Sequence, residues 1–310
     1  MTGAAAADLR LSVCIATCRR PERLRLLLDD LTRQRLLPDE VVVVDNDPHG
    51  GAAAVVEAAR SSAGSYSLVY AIEPEKNIAL ARNRTVQLAR GRWLAFVDDD
   101  ERAPPDWLLR LMDAAGRYDA DGVLGPVLPQ VPEDAPAWIR RGHFYDWARL
   151  RSGTRVPLNR LRFGNVLLRG DCLRKSAAPF DPAYGLTGGE DGDLLTRLAA
   201  AGARIVWCDE ATVHEPVEPA RLSLRWLLRR ALRGGQDYAR HSLAGRYGPA
   251  TALRRGTLVL RASLQLPAAA LLALLCWPFG RHHAARWLSK ASANFGKLSV
   301  LWGWHLQEYA

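Results

Sequence analysis

Apolar and polar positions alternate in two rhythms along this chain. Over its first hundred residues, short apolar runs take turns with stretches whose apolar residues recur every three or four positions. LSVCIA (11–16) predicts a strand, and PERLRLLLDDLTRQ (21–34) a helix with Pro21 in its first turn, where a missing amide hydrogen is harmless. EVVVVD (40–45) is a continuous β-branched run, the pattern of a parallel strand buried on both faces. A helix near 51–61, a strand SLVYAI (67–72), a helix near 77–89 and a strand WLAFV (93–97) follow. This alternation implies an α/β fold built on a doubly wound, mostly parallel sheet. Ligands of such sheets bind beyond the carboxyl ends of the strands. Two of the predicted strands end in acid: Asp45 after the second, and Asp98, Asp99 and Asp100 after the fourth.

From about Asp121 the rhythm changes. A Pro-rich stretch, GVLGPVLPQVPEDAPAW, leads to a predicted strand FGNVLLRG (163–170), a helix opening at GGED (188–191) and a strand RIVWC (204–208). The chain then turns helical and basic, so we expect an α/β domain over 1–218 and a helical tail over 219–310. Arg221, Arg225, Arg229 and Arg233 recur every four residues on one drifting helical face, with Leu224, Leu227, Leu228 and Ala231 elsewhere and Trp226 between. That is the pattern of a basic amphipathic helix at an anionic membrane surface. It equally describes a helix packed on the sheet with a solvated arginine face, and the two readings are compatible. ASLQLPAAALLALLCWPFG (262–280) carries no charge over 19 residues. A membrane span needs roughly 20 predominantly apolar residues. Ser263, Gln265, Pro267 and Pro278 interrupt this stretch, and Arg254, Arg255, Arg261, Arg281 and Arg286 flank it on both sides. Three placements stay open: interfacial or re-entrant, spanning, or buried within the protein or an oligomer.

Composition sharpens the picture. A chain of 310 residues, 48% of them hydrophobic, can bury a full core. Its net charge of +9 is unevenly spread: residues 216–310 hold 14 Lys/Arg against 3 Asp/Glu, while the first 215 hold 28 basic and 30 acidic residues. A near-neutral body with a strongly basic tail implies an anionic partner for the tail. The apolar stretch, with Trp287, Phe295, Trp302 and Trp304 beyond it, favours lipid over nucleic acid. The five cysteines are odd in number, and Cys14 and Cys18 have no second Cys/His pair nearby to complete a zinc site. They read as reduced thiols. MTGAAAADLRLSV has no basic segment ahead of an apolar one, so no secretory signal is expected and the body belongs in the cytoplasm.

Two acidic motifs carry the chemistry. A strand delivers Asp98, Asp99 and Asp100 into a loop followed by Glu101, a packing that is costly unless a cation or solvent screens it. Mg²⁺ or Mn²⁺ is commonly held by one or two carboxylates together with substrate phosphates, which fits a diphosphate. The run also describes an acidic loop or helix cap ahead of Pro104 and Pro105, but its place at the end of a buried strand favours the cation. In GLTGGEDGDLLTRLAAAG (185–202), glycines let the backbone approach a ligand, and Glu190 and Asp191 enter the first turn of a helix. The helix dipole favours carboxylates there, as suits a base that deprotonates a hydroxyl.

With these motifs assembled, the sequence resembles the family 2 glycosyltransferases, which have the GT-A fold. The resemblance runs from about Leu11 to Arg233 through SVCIATCRRPERL, VVVVDND, NIALARNRTVQLARGRWLAFVDDDE, GNVLLRG and TGGEDGDLLTRL, in family order. NIALARN, GNVLLR and TGGED are most similar to the bacterial exopolysaccharide branch, including the succinoglycan glucosyltransferases. The resemblance implies an inverting transfer from a nucleotide sugar. The expected donor is a UDP-sugar, with glucose as first expectation, and the expected acceptor a polyprenyl-diphosphate-linked saccharide at the cytoplasmic face of the inner membrane. It implies a nucleoside near Thr17 and Asp45, with Asp45 facing the base, and Arg82 near the base or the diphosphate. The resemblance also makes Asp98, Asp99 and Asp100 the DxD-type element, with Asp100 the expected direct ligand of Mn²⁺ or Mg²⁺ and Asp98 expected on the ribose or the metal. Asp191 carries over as catalytic base with Glu190 in support, and His214 as a residue reaching the metal or the diphosphate.

The chain departs from the family pattern at Arg19, where many members carry Asn, at Asp47-Pro48 in place of a frequent Gly-Ser, and at Ile78 in place of a Gly. These changes touch the donor pocket. Arg225-Trp226 is similar to the end of the QxxRW element of processive synthases, but Leu222 stands where its Gln would be, so a long polymer is not expected. Rival classes fit less of the sequence. A nucleotidylyltransferase would place a Gly-rich triphosphate loop where TCRRPER stands, and a dinucleotide oxidoreductase would carry GxGxxG after the first strand. A non-catalytic membrane module leaves both acidic motifs without a purpose.

Overall fold

The computed structural model describes residues 11–61, 64 and 66–307. The N-terminal segment read above for a secretory signal lies almost wholly outside the described residues. The described residues divide into two compact units: one holds those up to Leu128 and Trp147–Glu215, the other Pro129–Asp146 and those from Pro216. The Pro-rich stretch therefore contributes a segment to the second unit.

In the first unit the elements run β1 (Leu11–Thr17), α1 (Pro21–Thr32), β2 (Glu40–Asp45), α2 (Ala53–Arg60), β3 (Ser67–Ile72), α3 (Ile78–Leu88), β4 (Trp93–Val97), α4 (Trp107–Arg117) and β5 (Gly122–Leu124). The strand β6 (Val127–Gln130) and the helix α5 (Ala137–Gly142) lead into the second unit. The chain then returns through β7 (Asn165–Arg169), α6 (Gly170–Leu173), α7 (Glu190–Ala200), β8 (Ile205–Trp207) and β9 (Val213–Pro216). Seven strands form one sheet in the order β3-β2-β1-β4-β7-β5-β8. β7 runs antiparallel to its neighbours β4 and β5, and the other neighbouring pairs are parallel. The sheet is the mostly parallel, doubly wound one expected.

Period-two alternation explains why β-branched runs became central strands. Val41 and Val43 face one apolar layer while Val42 and Val44 face the other, and Trp93, Ala95 and Val97 oppose Leu94 and Phe96 in the same way. Helices cover both faces. The sheet order reverses between β1 and β4, so the carboxyl ends of these two strands flank the crevice where doubly wound folds bind ligands.

A buried polar tie holds β7 in this sheet. Asn165 accepts a hydrogen bond from Trp107 Nε1 at 2.8 Å and donates to the carbonyls of Pro126 and Ala211 at 3.0 and 2.6 Å.

The second unit contains α5 and three long helices: α8 (Leu224–Leu243), α9 (Ala252–Cys276) and α10 (Arg281–Ser299). Ile139, Tyr145, Val217 and Leu227 form its small buried core, with Trp226 packed against it. The predicted uncharged stretch is the second half of α9 and the turn after it. Ala252–Phe279 is long and apolar enough to cross a membrane by length and composition.

Asn165→Ala should lower the unfolding free energy by about 3 kcal/mol, because two carbonyls and an indole N–H lose a buried partner. Urea denaturation of the full chain measures it; a change within experimental error would mean that water replaces the amide.

Candidate active site

Each predicted acid sits where a strand or helix ends at the crevice. Thr17 closes β1, and its hydroxyl donates to Asp99 Oδ2 at 2.7 Å, joining the two strands at the reversal point. Arg20, three residues further on, reaches Asp99 and Asp100 with one Nη1, each at 3.1 Å. Sequence reasoning did not single out Arg20; its only signal was a basic pair directly after a strand. Asp30 was also missed. It is buried on α1 and binds Arg102 through both carboxylate oxygens at 2.6 and 2.7 Å, anchoring the loop that follows the acidic run.

Asp45, fully buried, accepts from the amides of Asp47 and Ala52 at 3.0 and 2.8 Å and from the Tyr70 hydroxyl at 3.0 Å. Its carboxylate thus shapes the loop 46–52. Asn46 extends this order. Its Nδ2 donates to the carbonyls of Glu73 and Glu75, and its Oδ1 accepts from the amide of Asn77. Asn77 caps α3 by accepting from Ala79 and Leu80, and donates to the carbonyl of Pro182.

Arg82, on α3, joins the two acidic motifs. Its Nη2 donates to Asp98 Oδ1 at 3.0 Å and its Nη1 to Glu190 Oε1. The guanidinium lies 4.7 Å from the ring centre of Phe163 and 5.9 Å from that of Phe180, so two aromatic faces hold it. Gly188 and Gly189, with φ of +80° and +98°, turn the chain into α7 in a conformation that other residues rarely adopt. This explains the paired glycines ahead of the acids. Glu190 is 2% exposed and, among the described residues, its Oε2 has no hydrogen-bond partner, whereas Asp191 beside it is partly exposed.

The acids crowd one another. Burial pushes Asp99 up to about 6, opposed by Arg20 and reinforced by Asp100. Glu190 is pushed up to about 7 by burial, against the pull of Arg82 and with help from Asp191. Glu101 lies well above the usual carboxylate range through burial and the charges of Asp98, Asp100 and Glu215. Asp98, although its side chain is 45% accessible, is raised by desolvation in the cleft and by Asp100 and Asp191. A cluster of hard oxygen donors whose neighbouring charges oppose one another has the chemistry for a divalent cation. Among the described residues no group of three Asp, Glu, His or Cys converges as a complete cage. A cation here would be shared between one or two carboxylates and a ligand's own oxygens.

His214 stands apart from this cluster. Its backbone pairs with Arg102, and it lines a recess of about 230 Å³ with Asp30, Arg33, Pro104 and Pro105. Thr17, Arg82, Asp98, Asp99, Asp100, Glu190 and Asp191 come together at the crevice; Asp45 organises its edge.

Residues 12–173 match the model of glycosyl transferase family 2. The chain belongs to that family. It is 34% identical over 306 residues to the succinoglycan biosynthesis protein ExoM of Rhizobium meliloti (strain 1021), covering 95% of this chain and 94% of that one. It is 27% identical over 166 residues to the uncharacterized glycosyltransferase YibD of Escherichia coli (strain K12), 53% of this chain and 43% of that one. Among solved structures, the mannosyltransferase PcManGT of Pyrobaculum calidifontis, in complex with GDP-Man and Mn²⁺, superposes with a TM-score of 0.65 at 20% identity, covering 95% of this chain and 87% of that one. TarS 1–349 of S. aureus, in complex with UDP-GlcNAc, gives 0.53 at 16% identity over 95% and 92%. These likenesses show the fold, GT-A, and with the family match they make the chain a glycosyltransferase.

The raised acids set a pH dependence. Between the ordinary value of 4.5 and about 7, folded Glu190 holds a proton that the unfolded chain has released. Its contribution to stability is therefore present below pH 4.5 and fades as pH rises through 7. Glu190→Gln should flatten the fall in Tm between pH 5 and 8 relative to the unaltered chain, measured by calorimetry without added metal. Parallel Tm profiles would place the ionisation of Glu190 below this window.

Proposed function

We propose that this glycosyltransferase moves a sugar from a UDP-sugar, with glucose the first candidate, to a polyprenyl-diphosphate-linked saccharide during surface or exopolysaccharide assembly, inverting the anomeric carbon. The observation that carries this reading is the contrast between two adjacent acids at the start of α7. Glu190 is buried and held by Arg82, while Asp191 is partly exposed and near enough to Asp98 and Glu190 to perturb both. Only the second is available to an incoming hydroxyl.

Asp191 takes the proton of the acceptor hydroxyl as its oxygen attacks the anomeric carbon and the nucleoside diphosphate leaves from the opposite face. Glu190 and Arg82 fix the position of Asp191 relative to Asp98. Thr17 stands on the nucleoside side of the crevice, and Asp45 shapes that side from beneath through the loop 46–52 that it orders. Asp99 holds this side to the acidic run through Thr17 and Arg20, and Arg82 serves the diphosphate side. Mn²⁺ or Mg²⁺, held by Asp100 and Asp98, would supply charge neutralisation on the leaving diphosphate. The basic, apolar tail supports a site of action at the cytoplasmic face of the inner membrane, where nucleotide sugars and lipid-linked acceptors meet.

Asp191→Asn should lower transfer by about a hundredfold or more with donor binding retained. Nucleoside diphosphate release is followed over a panel of nucleotide sugars with lipid extract and Mn²⁺ or Mg²⁺, and donor binding by calorimetry. Unimpaired turnover in this variant would move the base elsewhere. Asp100→Ala should weaken metal-dependent donor binding by roughly tenfold or more, matching the loss on chelation of the unaltered enzyme; equal affinity would remove Asp100 from the ligand set.

A further inference from the structure

α9 is built inside out. Leu253, Leu260, Leu264, Leu271, Leu274 and Leu275 are each 57–79% exposed, and their spacing places them along one stripe of the helix. That stripe is about 33 Å long at a rise of ~1.5 Å per residue. Trp277 and Phe279 extend it beyond the helix, 56% and 78% exposed. The opposite side buries only small residues, Ala262, Ala269 and Ala273. In water this arrangement is the reverse of an amphipathic helix, and a continuous exposed apolar stripe of this size marks a contact surface.

Two features decide what covers it. Arg255 lies exposed near the start of the stripe, Arg261 follows Leu260 within it, and Arg281 and Arg286 lie exposed beyond its end, in a tail of strongly positive net charge. Apolar contact rimmed by cations at both ends suits an anionic lipid leaflet. The second feature is α10, which follows after only Trp277–Gly280 and packs along α9. It bears Arg281, Arg286, Lys290 and Lys297. Arg286 also donates to the carbonyl of Gly142, at the end of α5, through Nε and Nη2. On its far side α10 is locked to α8. A Cβ on Gly235 would lie 2.0 Å from the carbonyl oxygen of Ala293, and one on Gly296 would lie 2.1 Å from that of Leu232. Helix backbones this close leave no room for separation. A transmembrane α9 would draw these charges into hydrocarbon, at several kcal/mol each.

We infer that α9 does not cross the membrane but lies flat in one leaflet, its leucine stripe immersed and its flanking arginines on anionic headgroups. This deepens the lipid-acceptor reading above and rests on it for the choice of lipid as the apolar phase. It selects one of the placements left open by sequence, and holds the second unit at the surface where a lipid-linked acceptor would present its saccharide.

The test uses the full chain added to sealed, preformed vesicles of phosphatidylethanolamine and phosphatidylglycerol. Flotation is expected, reduced by about tenfold or more in the double variant Leu264→Glu, Leu271→Glu. Because both side chains are exposed, circular dichroism should remain unchanged. On floated protein, Thr251→Cys and Arg281→Cys should both react with a membrane-impermeant maleimide, mapped by mass spectrometry with the native cysteines retained. Protection of Arg281→Cys while Thr251→Cys reacts would mean that α9 spans, overturning the inference. Failure to float would overturn it too, and so would a soluble dimer that the double variant dissociates, which would assign the stripe to a second copy. Sugar transfer is scored separately, so flotation with one-sided labelling but no lipid-linked product would uphold the inference and reject the acceptor reading.

Discussion

Arg82 is the interaction on which the site depends. One guanidinium on α3 donates to Asp98, at the end of β4, and to Glu190, which opens α7 and lies 108 residues away in sequence. Both Arg82 and Glu190 are buried, so neither charge has water to fall back on. Removing either partner leaves the other uncompensated in a low-dielectric setting, a loss of about 3–5 kcal/mol for buried pairs. Lysine could not substitute, because two forks of a planar, delocalised cation are used at once while Phe163 and Phe180 cover its faces.

Around this link the sheet supplies rigidity and the side-chain ties supply aim. Strands buried on both faces cannot slip by one residue without exchanging the contents of two apolar layers. That pins Thr17, Asp45 and Asp98 to one edge. Thr17 to Asp99, Asp30 to Arg102 and Asn165 to Trp107 then fix the loops. Arg20 and Arg82 bring cations to Asp98, Asp99, Asp100 and Glu190, and the Thr17 hydroxyl donates to Asp99. Burial first, and then the charges of neighbouring carboxylates, hold several of these acids above the ordinary range. This crowding also makes the cluster a fit for a cation that arrives with a diphosphate.

The second unit applies the opposite rule of burial. Its small core gathers around Tyr145, Ile139 and Leu227, while its longest helix turns leucines outward and alanines inward. Such a helix is stable only if its apolar side has an apolar phase to meet, and the arginines at its ends specify a charged boundary. Close backbone contact at Gly235 and Gly296 makes α8 and α10 one stiff support.

Much of this could be read from the chain directly. The strand limits of β2 and β4 coincide with their apolar runs because both are buried on two faces, and those of the half-exposed edge strand β3 coincide with its run as well. The acids after β2 and β4, and the pair that opens α7, were legible from local order, since a doubly wound sheet presents strand ends to its ligand. The partners of those acids were not. Arg20, Asp30, Asn46, Asn77 and Phe163 owe their roles to long-range approach, and nothing in local spacing distinguishes them from other polar or aromatic residues. His214 follows a strand as expected, yet its neighbours Arg102 and Asp30 come from distant segments. The uncharged stretch of the tail shows the same limit. Composition determined that it is apolar, but only packing against a charged α10 decided which of its faces is exposed and how it can meet a membrane. Periodicity records which residues must leave water, while tertiary contact decides what they meet when they do.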